Sequence, residues 1–483
     1  MKAFSPIRNT ATPRKRGLKP VPKTSLVVST FLTLALTTAA AGAKNPPPRV
    51  VLPALEWENA PSEKFLVKSI SRIETVGRLS DTRVTGEPRG DFRPERFLGQ
   101  EVSFLLSNPP EAPRRLHGTL VSVTRESSAE DAPMVLLEVA PWLQELTKSA
   151  NLAVFQDRSV PEILESVFRR WPRSLFVFDL HSSHPRRTLV CQYRETDFNF
   201  ASRLMEEEGL FYYFRDVPEG QRMIITDRNS PDPVGTVRFK ERSSGDAGLD
   251  RWVEKFETTP SGYTLMDYGV EAATPIVVSA ATEPTGGPNV FRDALDTRFT
   301  LEEGPRFARL RLEENRAARA VYSASGNEPS LAAGDRFRLK GHPDPRQNAD
   351  YWVTETNAQW YLVEPPPEET GDEEVPPLDA LPPLGMKFQF SLSAIPADTP
   401  FRPRRHTPKP LQQGVDMAEV VAVEDARVQI LFFWNTPALG GTPHPLWVPS
   451  LLATPPRPGD RVIVEFLGGD PDRPVVTAPA PLP

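Results

Sequence analysis

Of the chain's 483 residues, 54 are proline, and no other feature narrows the available folds as far. Proline lacks a backbone donor, fixes φ and ends helices. At about twice its usual share of roughly 5%, it predicts strands, turns and extended linkers, with few long helices. A chain of this length exceeds one small core, so two to four domains are expected. The hydrophobic share of 39% and charged share of 25% are those of an ordinary soluble globular protein. The formal net charge of −6 lacks the basic surplus of a general nucleic-acid binder. With Cys191 as the one cysteine, an intrachain disulfide and a cysteine-based zinc site are both excluded. Set in Leu189-Val190-Cys191, it reads as a buried, inert thiol.

Residues 1–48 read as a leader. The first 25 carry seven Lys/Arg, and the first acidic residue is Glu56. An apolar run from Leu26 to Leu36 and the small residues Ala41-Gly42-Ala43 follow, in the order of a secretory signal. The run is short for a membrane span, which needs roughly 20 residues. A disordered leader fits the same residues, so export and retention both stay open. Residues 44–54 then read as a proline-rich linker.

From Phe65 the chain gives short strand-like segments: Phe65 to Ile70, Val102 to Leu106, Gly118 to Val123 and Val135 to Val139. Turn clusters such as Asn108-Pro109-Pro110 and Ser127 to Pro133 separate them. The spacing predicts an antiparallel barrel or sandwich. One helix is well specified. Ser159 and Glu162 form a capping box, and Ile163, Leu164, Val167, Phe168 and Trp171 give one apolar face. A second helix is expected to begin at Thr196 or Asp197, to carry Phe200 and Leu204 one turn apart, and to end at Gly209. Leu210 to Phe214 reads as a buried strand. Residues 364–383, acidic and proline-rich, read as a solvated loop. Val428, Ile430 and Phe432, and then Val462, Val464 and Phe466, alternate as in the strands of a small β domain.

Few residues suggest chemistry. Glu206-Glu207-Glu208 are consecutive on a helix and point in different directions, so they cannot flank one bond. A solvated helix end, or an ion pair across a subunit contact, is expected there. His181 and His184 have a spacing seen in metal sites but lack cysteine partners, and read as a surface pair in a turn. G-x-S-x-G, H-E-x-x-H and the phosphate-binding G-x-x-x-x-G-K-[ST] are all absent from the sequence. Asp470, Asp472 and Arg473 read as a turn closing a barrel, with Arg473 pairing a carboxylate. Phe211 to Phe214 reads as core or subunit interface, because it lacks the interleaved basic residues of a base-stacking face.

The segment Cys191 to Phe214, CQYRETDFNFASRLMEEEGLFYYF, resembles the signature of the VgrG family of type VI secretion spike proteins. Gln192, Tyr193, Glu195, Asp197, Arg203, Glu207, Gly209 and Tyr212 all fall where that pattern puts them. Leu98-Gly99, His117-Gly118, Pro141-Trp142-Leu143 and Phe155-Gln156-Asp157 extend the likeness upstream. Downstream it runs through Ile225-Thr226-Asp227, Gly341-His342-Pro343, Phe401-Arg402-Pro403, Lys409-Pro410 and Phe433-Trp434-Asn435. It closes on Gly469, Asp470, Pro471, Asp472, Arg473 and Pro474.

The resemblance implies a mainly β fold: a tail-hub-like pair of β-barrels with a few short helices, then a C-terminal OB-fold barrel. The corresponding divisions are a leader at 1–48, a hub region at 49–363, an acidic insert and return to the hub at 364–400, and an OB-fold spike base at 401–483. The implied role is structural. A homotrimer would sit at the tip of an inner tube, contact tube and baseplate proteins, and carry a tip or effector protein into target envelopes. No catalytic residue, cofactor or metal is implied, nor any nucleic-acid partner, and a target membrane is met only transiently. Assembly is expected in the cytoplasm, followed by secretion through the machine. The family usually continues into a β-helix needle, whereas only Val475 to Pro483 follow here, so the point of the spike is expected from another chain. Two other readings compete: an exported envelope-associated or adaptor protein, and a spike-linked cell-wall hydrolase.

Overall fold

The computed structural model describes residues 55–480, apart from 60–63, 107–113, 128–132, 245, 270–273, 280–289, 295–301, 364–384, 426 and 436–443. The expected leader, the linker at 44–54, the acidic loop at 364–383 and the turn at 108–110 therefore lie outside the described residues, as does most of the turn at 127–133.

The strand-like segments are strands. Phe65–Thr75, Glu101–Leu106, Arg114–Glu126 and Met134–Ala140 contain the four expected segments and run past several of their ends. Their alternation has the usual cause: side chains on a pleated strand point to opposite faces, so Val102, Phe104 and Leu106 are buried while Glu101 is exposed. These strands, with Leu55–Trp57 and Asp81–Pro88, form the N-terminal half of a twelve-stranded sheet. Trp57 on its outer edge strand meets Phe65 at 5.4 Å between ring centroids and Phe97 at 5.0 Å, so this half curls back on itself.

The second half contains Asp350–Val363, Gly385–Pro396, Ala320–Gly326 and Leu249–Phe256, with Pro233–Arg238 and Arg336–Lys340 attached. The two halves are joined edge to edge. Phe65–Thr75 pairs antiparallel with Asp350–Val363, Ser71 opposite Gln359, and one apolar core runs through both. The two expected barrels are thus curled halves of one continuous sheet. Its segment Gly385–Pro396 hydrogen-bonds along the length of Asp350–Val363, up to the Val363–Gly385 pair.

A helical module lies between the halves in sequence. Helix α1, Val160–Phe168, carries the complete capping box and buries Ile163, Leu164, Val167 and Phe168. Helix α2, Asp197–Glu208, is capped by the Thr196 side chain and stopped by Gly209 at φ 75°. Helix α3, Gly304–Arg316, falls within the second half and was not indicated by the sequence; it buries Phe307, Leu310 and Leu312 against Tyr263 and Leu265.

The C-terminal residues form a five-stranded antiparallel sheet. Its order is Leu446–Pro449, Arg427–Phe432, Asp416–Glu424, Arg461–Phe466 and Pro474–Pro479. The core under it is completed by Val154 and Cys191, which belong to the ribbon Ala150–Ser159 and Arg186–Thr196. The neighbouring Val190 faces the core of the helical module instead. One two-stranded ribbon therefore serves two cores, by the period of two along a strand.

Candidate functional site

Where the ribbon, α2 and the C-terminal sheet meet, charge is concentrated and buried. Helix periodicity puts Arg203 and Glu207 on one face of α2. The Arg203 side chain is 1% exposed. Its Nε lies 3.0 Å from both oxygens of Glu195, and its Nη2 donates to the Cys191 carbonyl at 2.8 Å. Burial opposes a charge here, but Glu207 and Glu195 outweigh it and hold the guanidinium above its ordinary pKa. Glu195 itself is pushed up by burial, against the pull of Arg203.

The last two glutamates of α2 share one cation. Arg187 donates from Nη1 to Glu207 at 2.6 Å and from Nη2 to Glu208 at 2.8 Å. Burial raises the Glu207 carboxyl, yet Arg187, Arg203 and Lys409 together bring it down to about 2. Glu208 is held well below the carboxylate range too: burial opposes ionisation, but His184, Arg187 and Arg306 overcome it. With Glu208 ionised, His184 Nδ1 carries the proton of their 3.0 Å hydrogen bond, and its Nε2 lies 3.5 Å from Asp227. Asp227 accepts from the backbone of His181 and Ser182, each at 2.8 Å.

The end of α2 also captures the chain that leads to the C-terminal sheet. Glu206 accepts from the amides of His406 and Thr407 at 2.9 Å and from the Thr407 hydroxyl at 3.0 Å. From α3, Arg311 donates to the carbonyls of Glu206 and Glu207 at 2.7 and 3.1 Å, satisfying acceptors that a helix end leaves open. Phe401 packs its ring against Phe211 and Trp352, both at 5.1 Å. Lys409 then reaches Asp470 and Asp472, each at 2.7 Å. Burial would lower its pKa, but Asp472, Asp470 and Glu207 raise it above the ordinary value. Asp472 also accepts from the Cys191 amide at 2.6 Å. The ribbon and the closing turn of the C-terminal sheet are thereby bonded directly.

The expected signature residues divide into groups. Arg203, Glu195, Glu207, Asp470 and Asp472 belong to this network. Gln192 is fully buried beside it and donates to Asp197 at 2.8 Å, which also binds Arg170 at 2.9 Å. The Tyr193 ring meets the edge of Trp434 at 6.3 Å, and Trp434 donates to Asp416 at 3.1 Å. Tyr212 is buried next to Phe214. Gly209 has no room for a side chain: a Cβ would stand 2.7 Å from Leu310. In the turn, Gly469 takes φ 74°, Pro471 is buried, the Arg473 amide donates to the Asp470 carbonyl at 2.9 Å, and Pro474 opens the last strand. Gly341 and His342 lie elsewhere, at the end of Arg336–Lys340, where His342 packs on Phe239 at 4.7 Å.

Two expectations need correction. Glu207 and Glu208 are not solvated or held for a neighbouring subunit; their partners are arginines of the same chain. His181 and His184 are not a surface pair, since the His184 side chain is 4% exposed between two carboxylates. Sequence reasoning missed Arg187, Arg306 and Arg311 altogether. The usable signal was the pair Arg186-Arg187 leading directly into an apolar strand.

Arg187, Arg203, Arg306 and Lys409 each face a carboxylate, and Arg311 faces the carbonyls at the end of α2. Burial above all, then Asp472, pushes the Cys191 thiol well above its ordinary pKa, so it is no thiolate nucleophile. Among the described residues no group of three or more His, Cys, Asp or Glu could hold a metal ion, and no helix is long and apolar enough to cross a membrane. What the arrangement does is fix one β unit rigidly on another.

The family described as the phage tail baseplate hub matches residues 73–361. The chain belongs to the phage tail baseplate hub family. The match spans most of the twelve-stranded sheet and the helical module of this hub protein. Its likeness to VgrG spike proteins, carried in the sequence by Cys191 to Phe214, is borne out as well. The hub chain is 28% identical over 410 residues to the type VI secretion system spike protein VgrG1a of Pseudomonas aeruginosa, covering 79% of itself and 62% of that relative. Among solved structures it is similar to the E. coli c3393 protein, a component of the type VI secretion system. There the TM-score is 0.63 at 19% identity, covering 88% of this chain and all of that one. It also resembles a chain of the half-lidded Francisella PdpA–VgrG complex, with TM-score 0.59, 7% identity and coverage of 86% and 74%. These two likenesses are of fold.

Proposed function

We propose that this hub protein is the hub–spike component of a contractile injection machine of the type VI secretion kind. It would work as a homotrimer at the tip of the inner tube. The observation that carries the reading is the buried joint between hub and C-terminal sheet. A part driven through an envelope transmits axial force, and a joint of paired, desolvated charges on three elements resists shear where a flexible tether would fold. The five-stranded antiparallel sheet after residue 401 serves as the spike base and is read as an OB-fold. Three copies in a closed ring satisfy every contact surface and leave no open edge.

Tube and baseplate proteins are the expected partners below the ring, and a tip or effector protein above it. The Francisella structure, described as a PdpA–VgrG complex, supports a partner of that kind. The chain itself works without catalysis, and it leaves the cell through the machine. Sedimentation of the purified chain tests the assembly: a trimer is expected at micromolar concentration, and a strict monomer would overturn the reading. Affinity capture from cells under native conditions tests the carriage, for which recovery of tube, sheath and baseplate components alone would be the contrary result. Release of peptidoglycan fragments by the pure chain would favour a hydrolase instead.

A further inference from the structure

The central sheet carries a feature that the hub reading does not use. Asn357 lies across from Ser391 and Gln359 across from Gln389, and Ser391 lies across from Ser325. The alternate residues Ala358, Trp360, Phe390 and Leu392 are packed in the core, so the amides and hydroxyls share the opposite face. They line a cleft of about 490 Å³, within the range of small-molecule sites. One wall is held close by paired hydrogen bonds: the Asn327 amide donates to the Gly248 carbonyl at 3.0 Å, and the Gly248 amide to Asn327 Oδ1 at 3.2 Å. Lys240 and Arg242 also line it; Lys240 Nζ donates to the Ser244 carbonyl at 2.9 Å, and Asp250 lies 3.8 Å from Arg242, whose side chain is 87% exposed. Asn357 Oδ1 is buried and accepts no hydrogen bond in the structure.

The lining selects among ligand classes. It offers one carboxylate, too few for a metal ion; its phenylalanines, Phe388 and Phe390, pack against the core, and Lys240 and Arg242 fall short of the dense cations of a nucleic-acid groove. A peptide cannot join as an extra strand, because the three floor strands each have neighbours on both sides. Asn, Gln and Ser side chains offer donors and acceptors together, which is what adjacent sugar hydroxyls require. We propose that this cleft binds an oligosaccharide of roughly two or three rings that carries a carboxylate. Gln359 and Gln389 bracket a diol, and the exposed Arg242 faces the acid.

The test is calorimetric titration of the full chain with trigalacturonic acid and with maltotriose. The acidic trimer binds and the neutral one binds more weakly. Arg242→Ala removes that difference, and the double variant Gln359→Ala/Gln389→Ala weakens both by about tenfold or more. Both glutamines are exposed, so an unchanged melting temperature is expected of the double variant and separates lost binding from lost fold. No heat from either sugar at millimolar concentration, or undiminished binding by the double variant, overturns the proposal. Binding of a neutral Gly-Ser peptide in place of both sugars, abolished by the same variants, overturns it in favour of a protein partner.

Discussion

At the scale of single residues, Arg203 is the centre of the joint. It neutralises Glu195, lies 3.6 Å from Glu207 and holds the Cys191 carbonyl. Removing one member of a buried set strands the others without solvent, which typically costs about 3–5 kcal/mol. Arg203→Met should therefore destabilise the chain by about that amount, read as a lower urea midpoint. The carboxylates also set an acid limb. Glu207 titrates near 2 and Glu208 is likewise depressed, against an ordinary value of 4.5. The unfolded chain takes up these protons first, so the stabilisation is complete above about 4.5 and is lost as pH falls towards 2. Glu195 and Asp470, raised by burial, act in the opposite sense over their own range. Glu207→Gln should lower stability at neutral pH and flatten its decline below pH 4.5, measured by urea unfolding across that window.

At the scale of elements, Gly209 shows how one residue ends a helix and admits another. Its φ of 75° is a left-handed conformation, and Leu310 of α3 and Arg402 fill the space where a Cβ would be, at 2.7 and 3.2 Å. Gly209→Ala combines a backbone cost of about 1–2 kcal/mol for a left-handed L-residue with displacement of α3, and a total near 2 kcal/mol or more is expected from urea unfolding. This glycine was legible in the sequence because a helix stop is a local signal. So were the Ser159–Glu162 capping box, the alternation of Val428, Ile430 and Phe432, and the apolar setting of Cys191. Helix α3 was not legible, because Arg306, Arg309, Arg311, Glu313 and Glu314 make most of its surface look solvated. The network was hidden for a related reason. Cys191 and Asp472 are 281 residues apart, and a charged residue looks the same in sequence whether water or a partner neutralises it. The amphipathic pattern reports what is apolar; it does not report which charges meet.

At the scale of the whole molecule, the C-terminal sheet depends on Lys409 as a clamp between its closing turn and the hub. Lys409→Met leaves Asp470 and Asp472 facing each other with little solvent, so the sheet should loosen before the hub unfolds. Limited proteolysis between residues 401 and 416 should become faster by about tenfold while the hub core stays resistant. Parallel protection of both parts in the variant would count against the clamp. The pairing of Phe65–Thr75 with Asp350–Val363 has a consequence of a different kind, in the time order of synthesis. The N-terminal half leaves the ribosome with one long strand edge open, and the partner edge follows 288 residues later, from residue 75 to residue 363. At roughly 5–20 residues per second, that edge waits for roughly 15–60 s, long enough for nascent chains on one message to pair with each other instead. Slow translation of the intervening region should therefore lower the yield of soluble protein more than the same slowing placed after residue 396.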